Sequence, residues 1–319
     1  VYKRQVLLSS LDETIIQHGA EFNLGLHKYE GENYSPKGHK YIVSFEWEQV
    51  PTWTYRVGGV LLKKEISFDT SIHRIYIRYT LLDAHSETTL RLRPFLAFRS
   101  VRQWTHENNV ANRSYDEVEN GIRMCLYQGY PDLYMQTSKP AQWNYCPDWY
   151  RGMDYPKERE RGYYATEDLL VPGYFEMPIH KGETITFSAG VAPIEPKQID
   201  VMLEKEIANI DHRDSFYHCL VNAAHQFRVN KDKESYILAG YPWFKPRARD
   251  TFISMPGLTL AIGERERFEA YMATAEKALY NFMRKEPMSV NIYEMEQPDT
   301  LLWATWTIQQ YAKYTSRKE

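Results

Sequence analysis

Cysteine is scarce in this chain of 319 residues, which contains only Cys125, Cys146 and Cys219. The number is odd, the spacings are wide, and no Cys-x-x-Cys pair occurs. These features exclude a disulfide framework and a cysteine-based zinc site. They are typical of a reducing compartment, and we expect a cytoplasmic protein.

Long apolar runs and blocks of like charge are also missing. No stretch approaches transmembrane length, and no signal-peptide core opens the chain. The net charge is −3 and there is no basic block, which argues against nucleic acid or an anionic membrane surface as a partner. The glycine-rich nucleotide motifs, the nucleophile elbow of serine hydrolases and the zinc-protease motif are absent as well.

Aromatic residues, by contrast, are abundant. They make up 14% of the chain, with 25 tyrosines and 8 tryptophans, which is more than core filling usually requires. Aromatic rings serve both as platforms for sugars and as contacts in protein interfaces, and composition alone does not separate the two. The length predicts two structural units with ample material for a core.

The pattern between residues 41 and 192 has a period of two. In the clearest case, the apolar residues Ile75, Ile77, Tyr79 and Leu81 alternate with Arg74, Tyr76, Arg78 and Thr80. This alternation predicts a half-buried antiparallel strand, and repeated short strands with turn signals predict a β-sandwich. Similar runs occur at Tyr41–Trp47, Val60–Phe68, Leu90–Phe98, Ile122–Tyr127 and Thr184–Ala189.

Residues 127–164 are dense in aromatics and show no clear period. We expect an irregular stretch with one of two uses. Its aromatics, among them Trp143, Trp149 and Tyr150, form either a sugar-facing rim or flap, or a self-packed loop with its own small core.

After Pro196 the period becomes helical. Leu203, Ile207 and Ile210 begin this pattern, and 211–215 predicts a break or cap. Three further apolar stripes are predicted to face the core, Phe216–Phe227, Phe268–Phe282 and Leu301–Ala312.

The stretch Tyr236–Leu258 is the most informative of the chain. Its aromatic pair Trp243-Phe244 precedes Arg249 and Asp250, just ahead of an apolar run suited to a helix. Rings beside an Arg–Asp pair can grip a sugar, because its C–H faces stack on rings and its hydroxyls need charged donors and acceptors. The alternative is that Asp250 is a helix N-cap and Arg249 an ordinary ion-pair partner.

The letters of this stretch resemble a known family. G-Y-P-W-F followed by R-D-T-F-I-S-M-P-G-L is similar to the glucosidase-domain signature of glycogen debranching enzymes, the amylo-α-1,6-glucosidases. Arg247-Ala248 stands where that family usually has Trp-Gly. Three earlier segments resemble the N-terminal domain of bacterial debranching enzymes, Leu7–Glu13, Pro51–Ile66 and Glu167–Phe175.

A second segment, Ser289–Tyr311, resembles the family's Y-N-x-x-D-A sequence and the aromatic-rich helix that follows it. The resemblance implies that Asp299 is the general acid. Local pattern alone also allows an ordinary first-turn acid after Pro298, which the helix dipole favours. The chain departs from the family at Glu296-Gln297-Pro298 and at Thr300.

The resemblance also implies roles for the first segment. Arg249 and Asp250 would hold hydroxyls of the terminal glucose, with Trp243 near its face, and none of them would transfer a proton. The complementary base would be a Glu far downstream of this chain. Glu294 and Glu296 rank low as substitutes, since adjacent loop acids are usually solvated.

The fold expected from these features has three parts. Residues 1–195 are predicted to form the sandwich, 196–230 a helical connector, and 231–319 the start of an (α/α)₆ barrel too short to close. The chain begins at Val1 without a methionine and stops at Glu319 directly after a helix-like segment. We therefore expect it to be a piece of a longer protein.

The expected function is removal of α-1,6-linked glucose stubs from glycogen-like α-glucan, by an inverting two-carboxylate mechanism without metal or organic cofactor. By itself the chain is expected to be inactive, because it lacks the base. Two alternatives stay open, a glucan-binding or interface module without catalysis and another (α/α)-barrel sugar enzyme of phosphorylase or trehalase type. The resemblance implies no particular oligomeric state.

Overall fold

Two units make up the chain, which divides between Ile210 and Asp211. The structure, a computed structural model, describes residues 5–31, 33–231, 233–241, 244–287 and 290–316. Within these residues the first unit carries two antiparallel sheets and the second is mainly helical. The predicted limits at 195 and 230 stay predictions.

The first unit contains a seven-stranded and an eight-stranded sheet in its described part. The seven-stranded sheet has the spatial order β2 (Ala20–Asn23), β1 (Gln5–Gln17), β9 (Thr88–Ser100), β14 (Thr166–Ile179), β13 (Gln142–Asp154), β3 (Leu26–Tyr29) and β4 (Asn33–Lys37). The eight-stranded sheet has the order β10 (Asp116–Val118), β11 (Gly121–Met124), β12 (Leu133–Thr137), β15 (Thr184–Gly190), β8 (Arg74–Asp83), β7 (Val60–Asp69), β6 (Pro51–Val57) and β5 (Ile42–Trp47).

One apolar core joins the two sheets. Ile77, Tyr79 and Leu81 of β8 are buried in the same cluster as Leu90 and Leu92 of β9 in the other sheet. Alternate residues of antiparallel strands point to one face, so each sheet buries that face against its neighbour. The predicted β-sandwich is confirmed.

The polar face of β8 is covered rather than open to solvent. Arg74 and Tyr76 are buried there, because helix α2 (Pro196–Ala208) packs Ile199 and Leu203 against the Tyr76 ring. The expectation of a half-buried strand is therefore wrong on this point. The strand has the predicted alternation, but its polar face is buried as well, because a tyrosine and an arginine can pack beneath a helix.

The prediction that the stretch 127–164 is irregular is wrong. It contains β12, all of β13 and the short helix α1 (Pro156–Glu160). Strand β13 shifts register against β14 between Tyr145 and Asp148 and again between Tyr150 and Met153. Each shift moves the side chains that follow to the other face, so a long strand shows no continuous period of two.

The second unit contains helices α3 (Phe216–Gln226), α4 (Ala248–Leu258), α5 (Arg265–Arg284) and α6 (Thr300–Ser316) and the hairpin strands β16 (Arg228–Lys231) and β17 (Glu234–Ile237). The two units also contain 3₁₀ turns at Gly38–Tyr41 and Leu260–Ile262. The predicted cap before α3 is confirmed, because the Ser215 hydroxyl accepts a hydrogen bond from the backbone N–H of His218 at 3.1 Å. None of the helices in the described residues has the length and apolar character needed to cross a membrane.

Helix α6 buries a face that matches the predicted stripe only at Ala304. Leu301 and Ile308 are 66% and 52% exposed, whereas Thr300, Ala304 and Thr307 are buried. The Thr307 hydroxyl donates to the backbone carbonyl of Phe252 in α4 at 2.7 Å. A threonine whose hydroxyl is hydrogen-bonded can lie in a core. A prediction that counts only apolar residues therefore misses the buried threonines of this helix.

Candidate active site

The two segments that carry the sequence motifs meet in the second unit. Arg247 and Tyr293 form an isolated parallel bridge. The N–H of Ala248 donates to the carbonyl of Tyr293 at 2.9 Å, and the N–H of Tyr293 donates to the carbonyl of Pro246 at 3.0 Å. The start of α4 is thereby tied to the loop that leads into α6.

Helix α4 begins directly after this bridge. Its N-cap position is Arg247, which has extended backbone and makes no side-chain cap, and Asp250 is the third residue of the helix. The interpretation of Asp250 as the N-cap is therefore wrong. Its carboxylate still lies in the first turn, where the helix dipole favours negative charge.

Arg249 and Asp299 form an ion pair between α4 and the residue that precedes α6. The Nε of Arg249 lies 3.3 Å from Oδ2 of Asp299, and both side chains are partly exposed. Arg249 therefore does form an ion pair, as the alternative interpretation predicts. Its partner is Asp299, the predicted general acid, and not the neighbouring Asp250.

Trp303 also holds Asp299. Its indole Nε1–H donates to Oδ2 of Asp299 at 3.2 Å, and its backbone N–H donates to the Asp299 carbonyl at 3.0 Å. Residues four apart share one face of a helix, so the spacing of Asp299 and Trp303 could have revealed this contact. The sequence reasoning missed it.

Asp250 lies elsewhere on α4. Successive helical residues point about 100° apart, because 3.6 residues complete a turn. Asp250 accordingly lines a cleft of about 210 Å³ with Phe227, Leu238, Ala239, Ile253, Ser254 and Leu258. Among the described residues its side chain has no hydrogen-bond or ion-pair partner, whereas its backbone carbonyl accepts from Ser254 at 2.6 Å. Neither Arg249 nor Asp299 lines this cleft.

Further charges surround the Arg247–Tyr293 bridge. The Arg247 guanidinium lies 3.4 Å from the Glu294 carboxylate and stacks over the Phe244 ring at 4.8 Å. Lys245 donates to the Tyr293 hydroxyl at 2.9 Å. Arg247 is the residue where the chain departs from the family, and Glu294 balances the charge that the departure introduces.

The remaining candidates are four aromatic residues. Trp243 lies outside the described residues. Trp149 is 2% exposed and belongs to the main core of the sandwich, so it neither faces a sugar nor forms part of a separate small core. Trp143 packs on Phe175 with ring centroids 4.6 Å apart, and Tyr150 packs on Phe95 at 4.9 Å, both partly buried.

Comparison with protein families bears directly on these motifs. The model described as glycogen debranching enzyme N terminal matches residues 1–186, and the model described as amylo-alpha-1,6-glucosidase matches residues 220–319. The chain belongs to the glycogen debranching enzyme family. The resemblance seen in the motifs is thereby confirmed.

Among solved structures, a bacterial glucoamylase complexed with acarbose is similar to this debranching-family chain. The two share 10% sequence identity with a TM-score of 0.46. The match covers 96% of this chain and 50% of the glucoamylase chain, so this chain spans about half the length of that relative. A search of curated protein sequences found no match.

Proposed function

We propose that this debranching-family protein is a glycoside hydrolase of α-glucan that removes α-1,6-linked glucose stubs from glycogen-like chains. The observation that supports this most is the Arg249–Asp299 ion pair. It joins the two segments that resemble the glucosidase signature, and it places a carboxyl group beside a cation that can bind sugar hydroxyls.

Asp299 is the proposed general acid. It donates a proton to the glycosidic oxygen as the bond from C1 to that oxygen breaks, and water attacks C1 from the opposite face, which inverts the anomeric centre. Trp303 fixes the orientation of the carboxyl group through its indole N–H. The ion pair with Arg249 favours the charged form of Asp299, so the guanidinium must turn to the sugar hydroxyls before the carboxyl group can act as an acid.

Arg249 is proposed to hold hydroxyls of the terminal glucose beside Asp299, with Trp243 near its face. Asp250, predicted to share this role, lines the separate cleft on α4 and is proposed to hold a sugar hydroxyl that enters that cleft. An arginine supplies donors, and an aspartate with no partner among the described residues supplies acceptors. None of the three transfers a proton. Their part is orientation, which lowers the entropy cost of reaching the transition state.

The same proposal extends to the domains. We assign residues 1–195 to the sandwich, 196–230 to a connector and 231–319 to the opening helices of an (α/α)₆ barrel. Helices α4, α5 and α6 supply those opening helices, and their shared core includes Phe252, Phe268 and Ala304.

An inverting enzyme needs a second carboxylate about 6.5–9.5 Å from the acid. Glu294 is engaged by Arg247, and Glu296 is exposed on the loop before α6. We assign the base role to neither of them. The 319-residue chain alone is therefore expected to release little glucose, because general base catalysis is typically worth about 10²–10⁴-fold.

The test compares the full-length natural protein with this chain on a maltodextrin that carries single 6-α-glucosyl branches, in phosphate-free buffer. We expect β-glucose as the first product of the full-length protein and little from the 319-residue chain. A phosphorylase would need phosphate, a trehalase would ignore this substrate, and a binding module would release nothing. Glucose release by the short chain at the full-length rate would assign the base role to a nearby acid such as Glu294 or Glu296.

A further inference from the structure

The first unit carries a cleft of its own, between the β13–β14 hairpin and the segment that follows β9. Its volume is about 500 Å³, within the range of about 300–1,000 Å³ typical of small-molecule sites. The residues that line it and matter for its chemistry are Tyr29, Glu30, His106, Arg151, Tyr164 and Asp168.

The start of β14 builds this cleft from two adjacent carboxylates, Glu167 and Asp168, which belong to one of the family motifs. Successive strand residues point to opposite faces. Glu167 is fully buried, where it pairs with the Arg99 guanidinium and accepts hydrogen bonds from the Tyr155 hydroxyl at 2.8 Å and the Thr105 N–H at 3.2 Å. It thereby anchors the segment that leads to His106.

Asp168 points the other way and is held by the backbone on both sides. Its Oδ2 accepts from the N–H of Glu107 at 3.0 Å, and its Oδ1 accepts from the N–H of Gly152 at 2.8 Å. The Nδ1 of His106 lies 3.7 Å from Oδ2. A carboxylate fixed in this way keeps its remaining lone pairs directed and ready to accept from a ligand.

The charges and polar groups in and beside the cleft disfavour two classes of ligand. Glu30, Glu107 and Asp168 are negative, and the positive charge of Arg151 is already paired with both carboxylate oxygens of Glu107. This balance disfavours an anion such as a phosphate, and the many polar groups disfavour an apolar ligand. Among the described residues the Glu30 carboxylate has no ion-pair or hydrogen-bond partner, so it can accept from a ligand hydroxyl.

An aromatic face completes the arrangement. The Tyr164 side chain is 62% exposed, and its ring meets His106 edge to face at a centroid distance of 5.7 Å. Exposed rings bind the C–H faces of sugars, while fixed carboxylates and an imidazole bind hydroxyls. We propose that this cleft is an accessory binding site for α-glucan, with Tyr164 stacked on a glucosyl ring and Glu30 and Asp168 accepting from its hydroxyls.

The choice of α-glucan among neutral sugars rests on the proposed function. The remaining chemistry rests on the cleft itself. Tyr164 can be replaced without loss of its structural contact, because the Trp104 indole N–H donates to its backbone carbonyl at 2.7 Å and not to its ring.

The chain supplies a matched control in the adjacent residue. Tyr163 is 59% exposed, does not line the cleft, and lies over Arg161 instead. The experiment is affinity electrophoresis of the 319-residue chain in native gels that contain glycogen, with gels that contain dextran beside them and titration with maltohexaose. We expect retardation in glycogen, binding of maltohexaose that is about three- to tenfold weaker in Tyr164→Ala, and unchanged binding in Tyr163→Ala and Tyr164→Phe.

Equal binding by Tyr164→Ala and the unmodified chain would overturn the proposal, as would equal loss in Tyr163→Ala or no binding at all. Equal retardation in dextran would overturn the assignment to α-glucan. Failure of glucose release by the full-length protein would refute the proposed function and leave Tyr164-dependent binding unaffected, so the two failures are distinguishable.

Discussion

Thr307 is expected to compensate for a proline inside helix α4. Pro256 has no N–H to donate to the carbonyl of Phe252, four residues earlier. The Thr307 hydroxyl of α6 donates to that carbonyl at 2.7 Å and also lies 2.8 Å from the carbonyl of Trp303 in its own helix. Since the Trp303 carbonyl is four residues before Thr307 and can accept its backbone N–H, we assign the hydroxyl proton to Phe252.

The Thr307→Val variant tests this contact. Valine has nearly the same shape and a similar helix propensity, so the main change is a buried carbonyl left without a donor. Such a loss costs about 1–3 kcal/mol. We expect amide protection in α4 and α6 to fall by about 5- to 150-fold, measured by hydrogen exchange and mass spectrometry of peptides from the two helices.

The Pro256→Ala variant supplies the matching control. An alanine at this position restores an N–H that can donate to Phe252, so the same Thr307→Val change should then cost less, with a coupling of about 1 kcal/mol or more. An equal cost in both backgrounds would show that the hydroxyl does not replace the missing donor. An unchanged protection in Thr307→Val alone would refute the contact itself.

Three further predictions concern single residues. Glu167→Ala should lower stability by about 3–5 kcal/mol, because it leaves the largely buried Arg99 guanidinium without its carboxylate. The matched change Glu176→Ala, at a more exposed ion pair with Arg91, should cost at most about 1 kcal/mol in urea unfolding. Equal costs would contradict this. Burial tends to raise the pKa of Glu65, but the hydrogen bonds and charge of Arg78 outweigh it and hold that pKa below its usual value. The stabilisation from this pair should therefore be complete above about pH 4.3 and lost as the pH falls through the lowered pKa of Glu65. The urea midpoints of Glu65→Gln and the unmodified protein should accordingly converge only in acid. A difference between the midpoints that stays constant with pH would contradict this. Trp303→Phe should lower kcat of the full-length protein about tenfold or more with little change in KM, and an unchanged kcat would remove its positioning role.

The sequence predicted those parts of the fold where periodicity is unbroken. Strand β8 and helix α5 follow from alternating and helical spacing, and both are present. Strand β1 carries no such signal, because it buries carboxylates. Glu13 accepts from the Tyr79 hydroxyl at 2.6 Å, and Asp12 lies 2.8 Å from His27. Buried polar pairs of this kind follow from tertiary contacts and not from local pattern.

The sequence predicted individual residues of the candidate site but not the contacts between them. The motifs indicated Arg249 and Asp299 separately, and their ion pair required the fold to bring α4 and α6 together. The direction of Asp250 depended on where α4 begins, and the sequence suggested a start too late in the chain, after Asp250 instead of at Ala248. Helix ends are the least certain feature of a sequence pattern, because the cap depends on the local backbone.

Glucose release by the full-length protein shows whether Asp299 is the general acid. Asp299→Asn keeps the shape of the side chain but cannot donate the proton, whereas Glu296→Gln changes a nearby acid to which no role is assigned. Release from the 6-α-glucosyl-branched maltodextrin is expected to fall by about 10²–10⁴-fold in Asp299→Asn and to stay unchanged in Glu296→Gln. Full release by Asp299→Asn, or a loss confined to Glu296→Gln, would contradict it.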